Sequence, residues 1–382
     1  THPTRPQYCI SNPEVQKMIY QELLDHLDKG YRMVQLGQSD GFRPCECEEC
    51  AKLYGVKDFG EKLWIMHRQM AERLLKDRPG KMVSIMAYGP TRKPPQTFRE
   101  FPDNVMIELA PFSEKEFGEW KKYRVKNGFN VYLYNWGWYQ AEGFTPKQTM
   151  EYLSSQTVEF NRSNVKGIYR CGFGELFGLE GPAYYQWGKQ LEEPSLDSKK
   201  LLSEYCRYSF GTAAGSLEKF YLLLDERLKL DLPHRNTNWN DPAPLDGRNP
   251  AMADNLRLLA LRYPPEVLAK LEALLDRAET EAPKTNPAKF LLPVVRMEFD
   301  YLKKTASVVT AFEHFRNTKS DADFEVLANA VDARNRMIEE IPLQRGTKPP
   351  RPAIKGSLRL FGYPTLEEIE DGGRLTAPLM AP

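Results

Sequence analysis

The sequence predicts an α/β protein of the (β/α)8 TIM-barrel type, N-terminally truncated with about five strands present, followed by an α-helical domain. Three observations point there. Up to about residue 190, short β-rich runs alternate with amphipathic stretches, the pattern of βα units around a parallel sheet. Beyond Pro194 the strand signals stop and apolar residues recur only at helical spacing. A closed barrel needs roughly 250 residues, more than this region supplies, so the first strands are expected upstream of Thr1, or the sheet is open.

Strands are expected at Met33 to Leu36, Met82 to Tyr88, Val105 to Leu109, Asn130 to Trp136 and Gly167 to Cys171, where branched and aromatic residues cluster between turn residues. Helices are expected between them, at Pro13 to Leu27, Gly60 to Leu75, Glu114 to Val125 and Pro146 to Phe160, with Asn12 and Thr145 as N-caps. Further helices follow at Asp197 to Tyr208, Gly215 to Leu228, Pro265 to Ala278, Pro287 to Phe315 and Ala322 to Ile341. The stripe Leu217, Phe220, Tyr221, Leu224, Leu228 and the stripe Val267, Leu268, Leu271, Leu274, Leu275, Ala278 read as core. Pro233 to Pro250, dense in Asn, Asp and Pro, reads as loop, and Lys348 to Pro352 as extended linker. The domains expected are 1–190, the C-terminal part of a barrel; 191–345, helical; and 346–382, an extended tail.

Composition narrows the function. Lys and Arg number 53 against 52 Asp and Glu, so a net charge of +1 gives no pull toward a phosphate backbone or an anionic surface, and nucleic acid is not an expected partner. No run approaches the ~18 apolar residues of a membrane span. The opening stretch Thr1 to Pro13 has neither an initiator Met nor a signal-peptide pattern, so removal of an upstream segment is expected. No phosphate-cradling G-x-x-x-x-G-K-[ST] and no strand-linked G-x-G-x-x-G is present, nor H-E-x-x-H or G-x-S-x-G.

In parallel α/β folds the substrate sits outside the carboxyl ends of the strands. There this chain places Asp40 after the first strand, Tyr88 at the end of the second and Glu108 late in the third. Tyr134, Asn135, Trp136 and Trp138 end the fourth, and Phe173, Glu175 and Glu180 follow the fifth. Tyr132, Tyr134, Trp136 and Trp138 share one face if the fourth strand is extended. Rings beside carboxylates suit sugars, whose C–H faces stack while their hydroxyls hydrogen-bond. Glycoside cleavage needs one carboxyl to protonate the leaving oxygen and a second as nucleophile or base, or the substrate's own acetamide in its place. Asp40, Glu175 and Glu108 are the candidate acids, with Tyr88, Tyr134, Asn135, Trp136, Trp138 and Phe173 as sugar-binding residues; no cofactor is required. The plainer readings are that the acids cap helices or pair with Arg170, and that the rings pack between sheet and helices. A non-catalytic glycan-binding or scaffold protein is the rival from another class.

Cys45, Cys47 and Cys50 are three thiols within six residues that can meet one soft metal ion, with Cys9 as a fourth ligand across the fold. A structural zinc, one or two disulfides, and free thiols all remain open. Cys171 and Cys206 read as ordinary buried thiols, and His26 and His67 as surface or core histidines.

The segments Cys9-Ile10-Ser11-Asn12-Pro13-Glu14-Val15, Gln38-Ser39-Asp40-Gly41 and Cys45-x-Cys47-x-x-Cys50 together resemble the domain-of-unknown-function family 4838 (DUF4838). Pro79-Gly80-Lys81 before a strand ending Ala87-Tyr88, Gly181-Pro182-Ala183-Tyr184-Tyr185 and Pro194-Ser195-Leu196-Asp197 extend the likeness, as do Glu204-Tyr205-Cys206 and Phe210-Gly211. It covers roughly residues 7 to 225. The resemblance implies a place among TIM-barrel glycoside hydrolases, similar to endo-β-N-acetylglucosaminidases that act on complex N-glycans with retention through the acetamide. It further implies that this chain begins inside the barrel, that Asp40 ends the fourth barrel strand, and that the protein is secreted or periplasmic. An adjacent Asp-Glu pair, which other acetamide-assisted enzymes carry at that position, is absent.

Overall fold

A computed structural model of the chain describes residues 8–133, 135, 144–170, 177–230 and 259–340. The expected tail 346–382 lies outside them, as do Pro233 to Pro250, Cys171 and the site candidates Tyr134, Trp136, Trp138, Phe173 and Glu175. The chain divides into two compact units, Thr1–Tyr134 with Phe160–Arg170, and Asn135–Glu159 with Cys171–Pro382.

The first unit is built on five parallel strands, β1 Met33–Leu36, β2 Met82–Ala87, β3 Val105–Leu109, β4 Phe129–Leu133 and β5 Val165–Arg170, in the order β1-β2-β3-β4-β5. Each strand pairs with its successor and the order never reverses, which is barrel-type winding rather than that of a doubly wound sheet. The α/β class and the five strands expected from sequence are what the fold contains; β1 and β3 have the expected ends, and β2, β4 and β5 have ends shifted by one to three residues.

Strand alternation divides the sheet into two faces. On one, Val34, Leu36, Val83, Ile85, Ala87, Val105, Ile107, Leu109, Phe129, Val131 and Leu133 are all buried. Helices α1 Pro13–Asp28, α3 Phe59–Asp77 and α4 Glu114–Trp120 bury their own apolar stripes, with Leu74 and Trp64 as the most enclosed of α3; α2 Glu48–Lys52 is a short helix inside the cysteine motif that periodicity did not reveal. Trp64 meets Trp120 at 5.4 Å and Phe101 at 5.6 Å, edge-on, a ring cluster in which each fully buried side chain contributes about 2–3 kcal/mol by area. His67 is a core histidine: burial pushes its pKa down to about 3, so the ring stays neutral.

Helix starts follow local chemistry. Asn12 Oδ1 accepts from the amides of Glu14 and Val15, as a good N-cap should. Thr145 does not cap the helix after β4. That helix, α5 Met150–Arg162, begins later, and Thr149 Oγ1 accepts from Tyr152 N at 3.1 Å instead. The helix predicted from Glu114 to Val125 stops at Trp120, because Lys121 and the turn after it close on the carbonyls of Phe117 and Glu119.

The second unit is helical: most of α5, then α6 Gly181–Glu192, α7 Ser198–Phe210, α8 Ala214–Lys229, α9 Pro265–Glu281, α10 Ala288–Thr318 and α11 Asp321–Glu340. Both predicted apolar stripes lie in its core, with Phe220, Tyr221, Leu271 and Leu275 fully or nearly enclosed beside Phe299, Leu302 and Leu327. Cys206 is a buried thiol of that core. Among the described residues no helix is long and apolar enough to cross a membrane.

Candidate functional site

The sheet's second face is the one that keeps polar groups within reach of solvent. Pairing puts Met86, Glu108, Asn130 and Gly167 in one row across β2 to β5. Glycines flank that row for a physical reason: a Cβ on Gly37 would lie 2.9 Å from Met86 Cβ, and one on Gly167 would lie 2.2 Å from Asn130 Oδ1. Glu108 accepts a hydrogen bond from Gln35 Nε2 at 3.1 Å. Desolvation raises the Glu108 pKa above the ordinary carboxylate value, and the bond from Gln35 only partly opposes it.

One level closer to the carboxyl ends, Tyr132 pairs with Tyr169 and the two rings stack, with centroids 4.6 Å apart. Tyr88, extended at φ −144° and ψ 146°, continues the alternation of β2 onto this same face. From a rise of about 3.3 Å per residue and a strand spacing of about 4.8 Å, its Cα stands ~8 Å from that of Glu108. Glu108 thus lies below a rim that carries Tyr88 on one neighbouring strand and Tyr132 on the other.

Asp40 sits in the turn after β1, exposed, and its Oδ1 accepts from the Tyr88 hydroxyl at 2.5 Å. That bond, with burial behind it, pushes the Tyr88 pKa up to about 12. Gln38 ties the same turn to β2 through the Tyr88 carbonyl and Thr91 Oγ1, and Thr91 Oγ1 donates to Met86 O at 2.8 Å. The loop beyond is anchored by the buried Glu61, which accepts from the amides of Gln96 and Thr97 at 2.7 and 2.9 Å. Asp40, Tyr88 and Glu108 are therefore carried by one firmly tied rim. Gln35, Gln38 and Thr91, which hold it, were not singled out from sequence; for Gln35 a signal existed, since strand alternation puts it on the face of Glu108.

Asn135 belongs to the second unit and is buried. Its Nδ2 donates to Gln156 Oε1 at 2.7 Å, its Oδ1 accepts from Gln156 Nε2 at 3.2 Å, and its carbonyl accepts from Gln148. Trp187 Nε1 donates to the same Gln156 oxygen at 3.3 Å. Nearby in sequence, Glu180 accepts from the Lys147 amide, and Glu298 of α10 accepts from Leu179 N at 2.6 Å. Glu298 is buried and desolvation pushes its pKa up to about 7. Gly178 is the residue that lets the chain pass: a Cβ there would lie 2.7 Å from Val294 O. Sequence reading missed Glu298 because its place in a long amphipathic helix looks like any solvated acid.

Cys9, Cys45, Cys47 and Cys50 converge, with all four sulfurs within 4.8 Å of one another. This group can hold a metal ion. Cys50 N donates to Cys47 Sγ, and this bond, with those from the neighbouring thiols, holds the Cys47 pKa below its ordinary value, while desolvation and the neighbouring sulfurs push that of Cys45 up. A separate hollow of about 750 Å³ lies in the helical unit between α9, α10 and α11, lined by Lys284, Lys289, Arg296, Asp300 and Met337 among others. Neither Asp40 nor Glu108 lines it.

The sequence model of the family described as a domain of unknown function, DUF4838, matches residues 2–222. None of the curated proteins matches the chain. Among solved structures, an aspartate-to-asparagine mutant of the Thermobaculum terrenum O-GlcNAc hydrolase is similar over 96% of this chain and 79% of that chain, at 12% identity and a TM-score of 0.38. A likeness at that level adds nothing to the fold read from strand pairing.

Proposed function

The chain belongs to the DUF4838 family, and from that premise we propose that it is a carbohydrate-active enzyme that hydrolyses a glycosidic bond in an N-acetylhexosamine-containing or other complex glycan. The observation that carries the reading is the rim itself. An exposed carboxylate, Asp40, is hydrogen-bonded to a tyrosine at the carboxyl edge of a parallel sheet, and a second carboxyl with a raised pKa, Glu108, lies on the face that tyrosine shares.

In this reading Asp40 is the general acid or the group that orients the substrate's acetamide, with Tyr88 holding its carboxylate in place. Glu108, whose pKa desolvation raises against the opposing bond from Gln35, is the partner carboxyl. Glu175 is the second acid of the proposal, and Tyr88, Tyr134, Trp136, Trp138 and Phe173 are its sugar-binding residues, whereas Asn135 is buried with its side-chain amide held by Gln156. Stacked Tyr132 and Tyr169 offer a further apolar ring surface on the same face. An oligosaccharide is the partner, and a secreted or periplasmic place is what the family resemblance implies. No cofactor takes part in the bond cleavage, and a zinc ion at the four thiols would be structural.

The test is turnover of a panel of aryl glycosides, aryl N-acetylglucosaminide among them, by the full chain and by Asp40→Asn and Glu108→Gln. A fall of about 10²-fold or more in kcat for Asp40→Asn, with KM little changed, is expected. Unchanged turnover would remove Asp40 from the mechanism. Glycan binding without turnover of any substrate would leave a binding protein in place of the enzyme.

A further inference from the structure

We propose that Cys9, Cys45, Cys47 and Cys50 form a closed tetrathiolate site for one zinc ion, which fastens the loop carrying Asp40 to the start of α1. Distance is the first argument. Cys9 Sγ lies 3.7 Å from both Cys47 Sγ and Cys50 Sγ. A tetrahedron with zinc–sulfur arms of about 2.3 Å has edges of about 3.8 Å, whereas a disulfide needs ~2.05 Å. Those two spacings match the tetrahedral edge, all four sulfurs lie within 4.8 Å of one another, and none of the four cysteines is in a disulfide.

Topology explains why these residues meet. α1 precedes β1 and so starts at the sheet's carboxyl edge, where the loop leaving β1 also emerges. Cys9 precedes α1 by one turn of chain, and Cys45, Cys47 and Cys50 follow Asp40 on that loop. Cys47-x-x-Cys50 has the ligand spacing of structural zinc sites. The Cys50 amide donates to Cys47 Sγ at 3.4 Å, and the Ser11 oxygen lies 3.2 Å from Cys50 Sγ and 3.4 Å from Cys9 Sγ, placed to donate to thiolates.

Charge is the independent argument. Lys62 is only 2% exposed, and its Nζ donates to the carbonyls of Cys50 and Ala51 at 2.6 and 2.7 Å. Among the described residues no carboxylate stands within ion-pair distance of it. A buried ammonium without an anion is costly. Zinc with four thiolates carries a net charge of −2, directly against the Cys50 backbone that Lys62 grips, and so supplies the missing counter-charge. On binding, each thiol loses its proton to solvent and the sulfur lone pairs occupy the ion's four positions. The shell is then full, which makes the site a structural anchor with no place for a substrate.

The test is metal content of the full chain, purified without chelator, by inductively coupled plasma mass spectrometry. One zinc per chain is expected. Cobalt(II) replacing it should give the sulfur-to-metal charge-transfer and visible bands of a tetrahedral thiolate site. Cys9→Ser and Cys47→Ser should lose the metal, Cys206→Ser should keep it, and Lys62→Met should retain zinc roughly ten-fold less tightly. If Cys9→Ser and Cys47→Ser fail to fold, native thiol alkylation of the unaltered chain decides instead: the four cysteines should be protected until a chelator is added. A metal-free chain with those four thiols freely alkylated, or an intact mass lighter by four hydrogens from two disulfides, would overturn the proposal, as would full metal retention in Cys47→Ser.

Discussion

Single side chains in this protein take their chemistry from burial more than from type. Glu108 and Glu298 are both glutamates kept from water, yet Glu108 faces the open side of a sheet while Glu298 is locked between Leu179 N and the glycine at position 178. For Glu298 the folded-state pKa of about 7 exceeds the unfolded value near 4.5, so the folded state binds more protons between them. Stability linked to this group is therefore fully present below pH ~4.5 and is lost as pH rises through about 7. Glu298→Gln, which keeps an acceptor for Leu179 N, should flatten that loss and stabilise the protein at pH 8 by on the order of 2 kcal/mol. Urea midpoints measured at pH 5 and pH 8 check it, and an equal midpoint for both proteins at pH 8 would contradict the burial argument.

At the scale of elements, the sheet is set by a few positions where only one backbone shape fits. Gly128 enters β4 at φ 76°, and a Cβ there would lie 2.1 Å from the carbonyl of Asn164, whose own φ is 58°. That carbonyl accepts from Phe129 N at 3.0 Å and starts the β4–β5 pairing. Gly128→Ala meets both the left-handed backbone and the carbonyl, so a loss of about 2–3 kcal/mol in unfolding free energy is expected. A change below about 0.5 kcal/mol in denaturant melts would show that the junction relaxes freely. Strand existence was legible from β-rich runs, and α1 from Asn12 and its periodicity. The short α2 was not, because five residues are too few to show a period and its cap is a cysteine sulfur.

At the scale of the molecule, the chain passes between its two units at 134/135, 159/160 and 170/171. The residues just after β5 belong to the helical unit: Leu179 lies in its core, and Tyr221 Oη donates to Gly178 O at 2.7 Å. A fragment ending at residue 190 would leave that apolar surface without its partners. Such a fragment is expected to melt without a sharp transition and to bind a hydrophobic dye, while the full chain melts cooperatively. A fragment with a cooperative transition at the temperature of the full chain would refute this. The loss of strand signal beyond Pro194 marks where helices take over, but nothing local records which core a segment near the crossings joins.

What the sequence determined by itself is what short-range physics encodes. Short β-rich runs alternating with helical stretches set the parallel strands, period-3.6 stripes set the helical core, and side-chain type nominated Asp40, Tyr88, Glu108 and the cysteines. The tertiary structure alone decided which of them meet. It brought Cys9 to Cys45, Cys47 and Cys50, set the Tyr88 hydroxyl on Asp40, buried Lys62 against the carbonyls of Cys50 and Ala51 and put Glu298 where water is excluded. The reason is that pairing register and helix packing join residues tens of positions apart, and desolvation depends on every neighbour that arrives, so neither can be read from a residue and its immediate flanks.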